Sequence, residues 1–102
     1  MIDSIRSAFR VGQVTWRLHA LQRMLERNIS RADVARAIEN GEIIETYPDG
    51  KPFPAGLCLG FSAERPIHVV LAWDAEAQAV YVVTVYEPDL DHFGPDFKSR
   101  RV

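Results

Sequence analysis

The stretch SRADVARAIENGEIIETY, residues 30–47, holds the change of period that decides the fold. Ala32, Val34, Ala35 and Ile38 recur at helical spacing. Ser30 with Asp33 three residues on spells a capping box, in which each side chain satisfies the other's backbone N–H. Asn40-Gly41 reads as the helix stop. After Gly41 the period falls from 3.6 to 2, so Glu42 to Tyr47 reads as a strand. Helices therefore come first and strands second, the order of an α+β domain whose helices pack on one sheet face. The opposite face is then expected to be free to hold a site.

Working upstream, Asp3 to Phe9 predicts a short helix ended by Gly12, and Trp16 to Arg27 a longer one. In the longer helix Leu18, Leu21, Leu25 and Ile29 form the stripe expected to face the core. Downstream, the loop from Pro48 to Pro54 cannot extend a strand because its prolines lack the N–H donor. Leu57, Leu59 and Phe61 then alternate with smaller residues as a second strand. Ile67 to Asp74 and Val80 to Glu87 form a third and a fourth, joined by a short connection that makes them antiparallel neighbours. The expectation is one domain over residues 1–102, with N-terminal helices on one face of a four-stranded, mainly antiparallel sheet. The tail from Pro88, with Phe93, Phe97, Arg100 and Arg101, either docks back or frays.

A chain of 102 residues can bury one core but not two, and 47% apolar with 25% charged residues is the balance of a folded globular domain. Cys58 is the sole cysteine, which excludes an intrachain disulfide and a thiolate zinc cluster. Its setting between Leu57 and Leu59 reads as a small core residue. No apolar run reaches the roughly 20 residues of a membrane span, and the first ten residues lack a signal-peptide core, so a cytoplasmic protein is expected. The net charge of -2 hides a segregation. Residues 1–36 carry seven arginines against three acids, 37–97 carry eleven acids against Lys51 and Arg65, and Lys98, Arg100 and Arg101 close the chain. Basic ends around an acidic middle suit either a local nucleic-acid footprint or an ordinary solvated surface.

Two groups of residues could carry chemistry. His19, Arg23 and Arg27 recur at four-residue spacing and share the polar side of the second helix. His68, Thr84 and Tyr86 lie in the last two strands, where a two-residue period puts Thr84 and Tyr86 on one face with Val80 and Val82. If their turn is centred on Glu76, His68 sits across from Thr84 with Tyr86 one diagonal step away. A slip of one residue swaps the faces. A titratable ring beside fixed positive charge is what acid/base work on a phosphate requires.

Metal-free RNA cleavage needs a base for the 2′-hydroxyl, positive charge for the transition state and an acid for the leaving 5′-oxygen. His19 and His68 fit the proton roles, and Tyr86 fits positioning or proton donation. Arg27 fits the phosphate, because the arginine fork matches its oxygens, with Arg23, Arg100 and Thr84 as RNA contacts. The competing structural readings are a solvent-facing His19, an Arg23 paired with Glu26, an Arg27 at the negative helix end, and a hydrogen-bonded core or edge His68. Thr84 and Tyr86 equally suit strand packing. His19, His68 and His92 have neither the spacing nor the carboxylate partners of a metal triad. No glycine-rich phosphate loop or nucleophile elbow is present around Ser62 or Ser99. No metal and no cofactor is expected.

Several blocks occur in a fixed order: Leu18-His19-Ala20 with Arg23 and Arg27, Gly41 to Pro48, Leu59-Gly60, Arg65 to Val70, and Thr84 to Asp89. Together, over about residues 19–100, they make the chain resemble DUF4258, a bacterial family of unknown function. That family is itself similar to the small RelE-like, BrnT-like and MqsR-like toxins of toxin-antitoxin systems. The resemblance implies a toxin-like, metal-independent endoribonuclease with RNA as substrate. It also implies a small zinc-finger or helix-turn-helix antitoxin as partner. Separately, a helix face such as Val34 and Ile38, if it stays exposed, suits a partner or a homodimer. The chain departs from typical toxins in being mildly acidic and poor in lysine, which weakens an affinity for phosphate that is mostly electrostatic. The alternative is a non-catalytic RNA- or protein-binding module of the same fold.

Overall fold

A computed structural model describes residues 1–101. The chain runs α1 (Ile2–Arg10), β1 (Val14–Trp16), α2 (Leu18–Arg27), α3 (Arg31–Asn40), β2 (Glu42–Tyr47), β3 (Ala55–Ser62), β4 (Arg65–Asp74) and β5 (Ala79–Tyr86). The α+β expectation holds, but the sheet has five strands in the order β1-β5-β4-β3-β2 and is mixed, because β1 runs parallel to β5. Trp16, expected at the start of a helix, is the last residue of β1. Val14-Thr15-Trp16 is too short to show a two-residue period, and its strand state comes from distant pairing with Val80, Tyr81 and Val82.

The helices cover one sheet face. Ile5 and Ala8 of α1, Ala20 and Met24 of α2, and Val34, Ala37 and Ile38 of α3 meet Cys58, Ile67, Val69, Leu71, Val80, Val82 and Val85 in one buried cluster. Cys58 is a core residue as expected, and burial pushes its thiol up to about 11, far from a nucleophile's range. The stripe expected of α2 is corrected in part, since Ile29 is buried in the core as expected and Leu21 packs against it, but the other two leucines are not buried. Leu18 and Leu25 are 70% and 85% exposed, while Ala20 and Met24 face the sheet and Leu21 is half-buried. Leucine-rich periodicity marks two adjacent stripes, and the one carrying small Ala20 lets α2 lie closer to β5.

The boundary at residues 30–47 forms as read. Ser30 Oγ accepts from the Asp33 N–H at 3.0 Å, and the Ser30 N–H donates to Asp33 Oδ2 at 2.8 Å. Gly41 closes α3 for a reason other than left-handed backbone, since its φ is -85°. A Cβ there would lie 2.4 Å from the Ala37 carbonyl oxygen and 2.6 Å from Cys58 Sγ. Arg6 of α1 completes the stop by donating to the carbonyls of Ile38 and Gly41 at 3.1 and 2.7 Å.

The second sheet face is covered as well, which corrects the expectation of an open one. Leu57, Leu59, His68 and Ala72 are buried there. The C-terminal tail covers His68 with Phe93, itself 3% exposed, and Phe53 of the loop before β3 stacks on Tyr81, the cross-strand neighbour of Ala72. No helix is long and apolar enough to cross a membrane among the described residues.

Candidate functional site

Two β-bulges decide which side chains meet on the tail-covered face. In β2, Ile43 pairs with Cys58 but Glu45 pairs with Leu57, so Ile44 is the extra residue. Ile43 thus points to the helices, and Glu45 and Tyr47, which regular alternation would put on the same side as Ile43, point away from them. In β5, Val82 pairs with Leu71 and Thr84 with Val70, leaving Val83 extra. Val80 and Val82 consequently face the helices while Thr84 and Tyr86 face the tail. This corrects the expected sharing of one face by all four. The cross-strand partner of His68 is Tyr86, and Thr84 lies across from Val70. A hairpin register counted through a bulge misses by one residue.

His68 is 0% exposed, yet both ring nitrogens are satisfied. Nε2 lies 2.7 Å from the Phe97 carbonyl oxygen and Nδ1 3.3 Å from the Tyr86 hydroxyl. A carbonyl can only accept, so the proton sits on Nε2 and the Tyr86 hydroxyl donates to Nδ1. The Phe93 ring meets the imidazole edge-on at 4.6 Å, and the Tyr86 ring does so at 5.2 Å. Burial lowers the His68 pKa, outweighing the opposing hydrogen bond to Phe97, and the same burial raises that of Tyr86.

Beside this pair lies a more exposed group. Arg100 grips Glu45 through two bonds, Nε to Oε2 at 2.6 Å and Nη2 to Oε1 at 3.0 Å. The Tyr47 hydroxyl donates to Glu45 Oε1 at 2.5 Å. The Arg100 hydrogen bond holds the Glu45 carboxyl below its usual range, and burial with the Glu45 bond raises the Tyr47 phenol. The Arg100 guanidinium also lies 5.0 Å from the centroid of Phe93. Phe93 therefore stands between the arginine and the histidine, dividing the cluster into a buried half and an exposed half.

Of the residues singled out in the sequence, the structure brings together His68, Tyr86 and Arg100. His19, Arg23 and Arg27 are not part of this group. They sit exposed on α2, which packs on the other face of the sheet. A His19–His68 proton-transfer pair is therefore not assembled. Arg23 binds Glu26 at 3.1 Å, the competing reading given above. The Arg27 carbonyl accepts a hydrogen bond from Arg65. His92 bonds Asp89 in the tail, apart from the other two histidines, and no metal-ligand cluster occurs among the described residues. Glu45 and Tyr47 were missed by the sequence reading. The only signal for them was the acidic, aromatic ending of the strand Glu42–Tyr47, and it does not disclose the bulge at Ile44.

The hydrogen-bonded His68 gives a pH prediction. Its folded pKa lies below the unfolded value of about 6.5, so the folded state binds fewer protons there. Its stability contribution is complete above about pH 6.5 and is lost as the pH falls through the folded pKa. The thermal midpoint should fall between about pH 7.5 and 5, with a smaller fall in a His68→Gln variant. Equal falls in both proteins would contradict this origin. The carboxylates held low, including Glu45 and Asp89, act in a more acidic window.

This geometry defines a small α+β domain with a polar cluster under its C-terminal tail. Residues 16–87 match the family described as a domain of unknown function (DUF4258), more than two thirds of the chain, and the protein belongs to that family. The match stops at Glu87, so the tail, which the resemblance had taken in as far as Arg100, lies beyond it. No curated protein and no solved structure matches the chain.

Proposed function

We propose that the protein is a toxin-like endoribonuclease that cuts RNA without a metal, using the cluster of His68, Tyr86, Glu45, Tyr47 and Arg100. The observation carrying this reading is that two separate bulges turn Glu45 and Tyr86 to the sheet face that holds His68, where the tail adds Arg100. These side chains supply the elements the reaction needs. His68 is the base: with the Phe97 carbonyl withdrawn and Tyr86 accepting from Nδ1–H, its Nε2 lone pair faces outward. It takes the 2′-hydroxyl proton as the 2′-oxygen bonds to phosphorus and the phosphorus–5′-oxygen bond breaks. Tyr47, oriented by Glu45, returns a proton to the departing 5′-oxygen, while Arg100 leaves Glu45 to hold the phosphate. The Arg100 fork matches phosphate oxygens as well as it matches a carboxylate. The products are a 2′,3′-cyclic phosphate and a 5′-hydroxyl.

In this reading the protein is cytoplasmic and pairs with a small antitoxin of zinc-finger or helix-turn-helix type. Leu18 and Leu25, exposed on α2, offer apolar area to that partner or to a second copy. The Arg23 and Arg27 face of α2 gives RNA a secondary contact outside the cluster. A map of new RNA 5′ ends after induced expression in a bacterial host tests the proposal. The native chain is expected to create ends that a Glu45→Gln variant does not. Identical maps for both, with both proteins folded and abundant, would refute it.

A second reading, a non-catalytic RNA- or protein-binding module, is favoured by the complete burial and full hydrogen bonding of His68. It predicts binding of a partner with no new ends.

A further inference from the structure

From the way the tail is attached, we infer that residues 88–101 form a detachable autoinhibitory strap, which seals His68 and lifts from the domain as one unit. This rests on the proposed site reading for what is sealed, though not for the lifting itself.

The segment begins just after the family match ends at Glu87. Its backbone hydrogen bonds are internal: Gly94 N–H to the Ser99 carbonyl at 2.8 Å, Phe97 N–H to Gly94 at 2.9 Å and Arg101 N–H to His92 at 2.8 Å. The Asp96 carboxylate accepts from the backbone of Lys98 and Ser99, closing the loop on itself. Among the described residues, no backbone-to-backbone hydrogen bond joins residues 89–101 to a strand. What fastens the loop to the sheet is a set of separate contacts: the Phe93 ring on His68, the Phe97 carbonyl on Nε2, Lys98 to Glu42 at 2.5 Å and Arg100 to Glu45. A loop bonded to itself and only pinned to its support keeps its shape when the pins release.

The pins are also of a kind that a polyanion can release. Both ion pairs have solvent-exposed arginine or lysine partners, so salt and a competing phosphate weaken them. When Arg100 exchanges the Glu45 carboxylate for a phosphate oxygen, Glu45 is unmasked and the Phe93 wedge loses its outer support. Substrate RNA would thereby open its own site.

Carbethoxylation of histidine, read peptide by peptide by mass spectrometry, tests the strap on the whole chain. His19 and His92 are exposed and serve as internal standards. In the native protein His68 should react far more slowly than either. Phe93→Ala should speed its modification by at least about tenfold with His19 unchanged and cooperative unfolding retained. Lys98→Glu should act in the same direction, and adding Glu42→Lys should restore protection. His68 protected alike in all variants, or reactive only when the entire domain unfolds, would overturn the strap. The same samples are given RNA. Cleavage by the native protein with no gain in Phe93→Ala overturns autoinhibition while keeping the site reading. An opened strap with no cleavage by any variant removes the site reading and leaves the strap.

Discussion

Replacing His68 by glutamine is expected to lower the rate of RNA cleavage by about 10²- to 10⁴-fold, the span of a general acid–base contribution. Glutamine is the informative choice because its amide N–H can still donate to the Phe97 carbonyl, where His68 Nε2 now donates at 2.7 Å. Truncation to alanine would instead leave that carbonyl unpaired beside a cavity and confound the loss of a base with a loss of fold. Single-turnover rates with excess enzyme, measured beside thermal unfolding, separate the two effects. A slow but normally stable variant supports the proton role. A fast variant, or one slow only in proportion to its unfolded fraction, assigns His68 to structure. Tyr86→Phe removes only the group that sets the His68 tautomer, so its loss should be smaller than that of His68→Gln.

The largest expected effect on stability belongs to Gly60→Ala. A Cβ at Gly60 would lie 1.8 Å from the Ala37 carbonyl oxygen and 2.5 Å from its carbonyl carbon. These are backbone atoms in the last turn of α3, so no side-chain rotation relieves the overlap and the helix must shift from β3. Overpacking costs about 1–3 kcal/mol where side chains can adjust. The rigid contact here puts Gly60→Ala at or above the upper end of that range, a fall of roughly 10 °C or more in the thermal midpoint for a domain this size. Gly94→Ala is the matched control, since its Cβ would meet nothing closer than 3.6 Å. A Gly60→Ala protein as stable as Gly94→Ala would show that α3 and β3 do not approach as described.

The contrast between local and non-local information explains what the sequence disclosed. The Ser30–Asp33 capping box, the change of period at Gly41 and the four long strands each rest on a few neighbouring residues, and all were legible. Strand β1 was not, because three residues carry no period and the pairing that defines them is about 65 residues away in the chain. Neither bulge was legible, and with them went the faces of Glu45, Tyr47, Thr84 and Tyr86. The choice between two leucine-containing stripes on α2 depended on how closely Ala20 could approach the sheet, a packing fact rather than a periodic one. Arg100 was legible as a cation but not as the partner of Glu45, 55 residues away in sequence. His68 stood out for a physical reason: a polar ring between Ile67 and Val69 had to find partners or be exposed, and it found both Tyr86 and Phe97.

In the proposed reaction the His68 face cuts RNA by proton transfer and fixed charge. The most direct measurement incubates purified native protein, its Phe93→Ala form and its His68→Gln form with a defined RNA in the presence of a metal chelator, and identifies the product ends. The expected products carry 2′,3′-cyclic phosphate and 5′-hydroxyl ends, formed faster by Phe93→Ala than by the native protein and nearly absent with His68→Gln. Intact RNA with all three folded proteins, or cleavage that His68→Gln leaves unchanged, would contradict it.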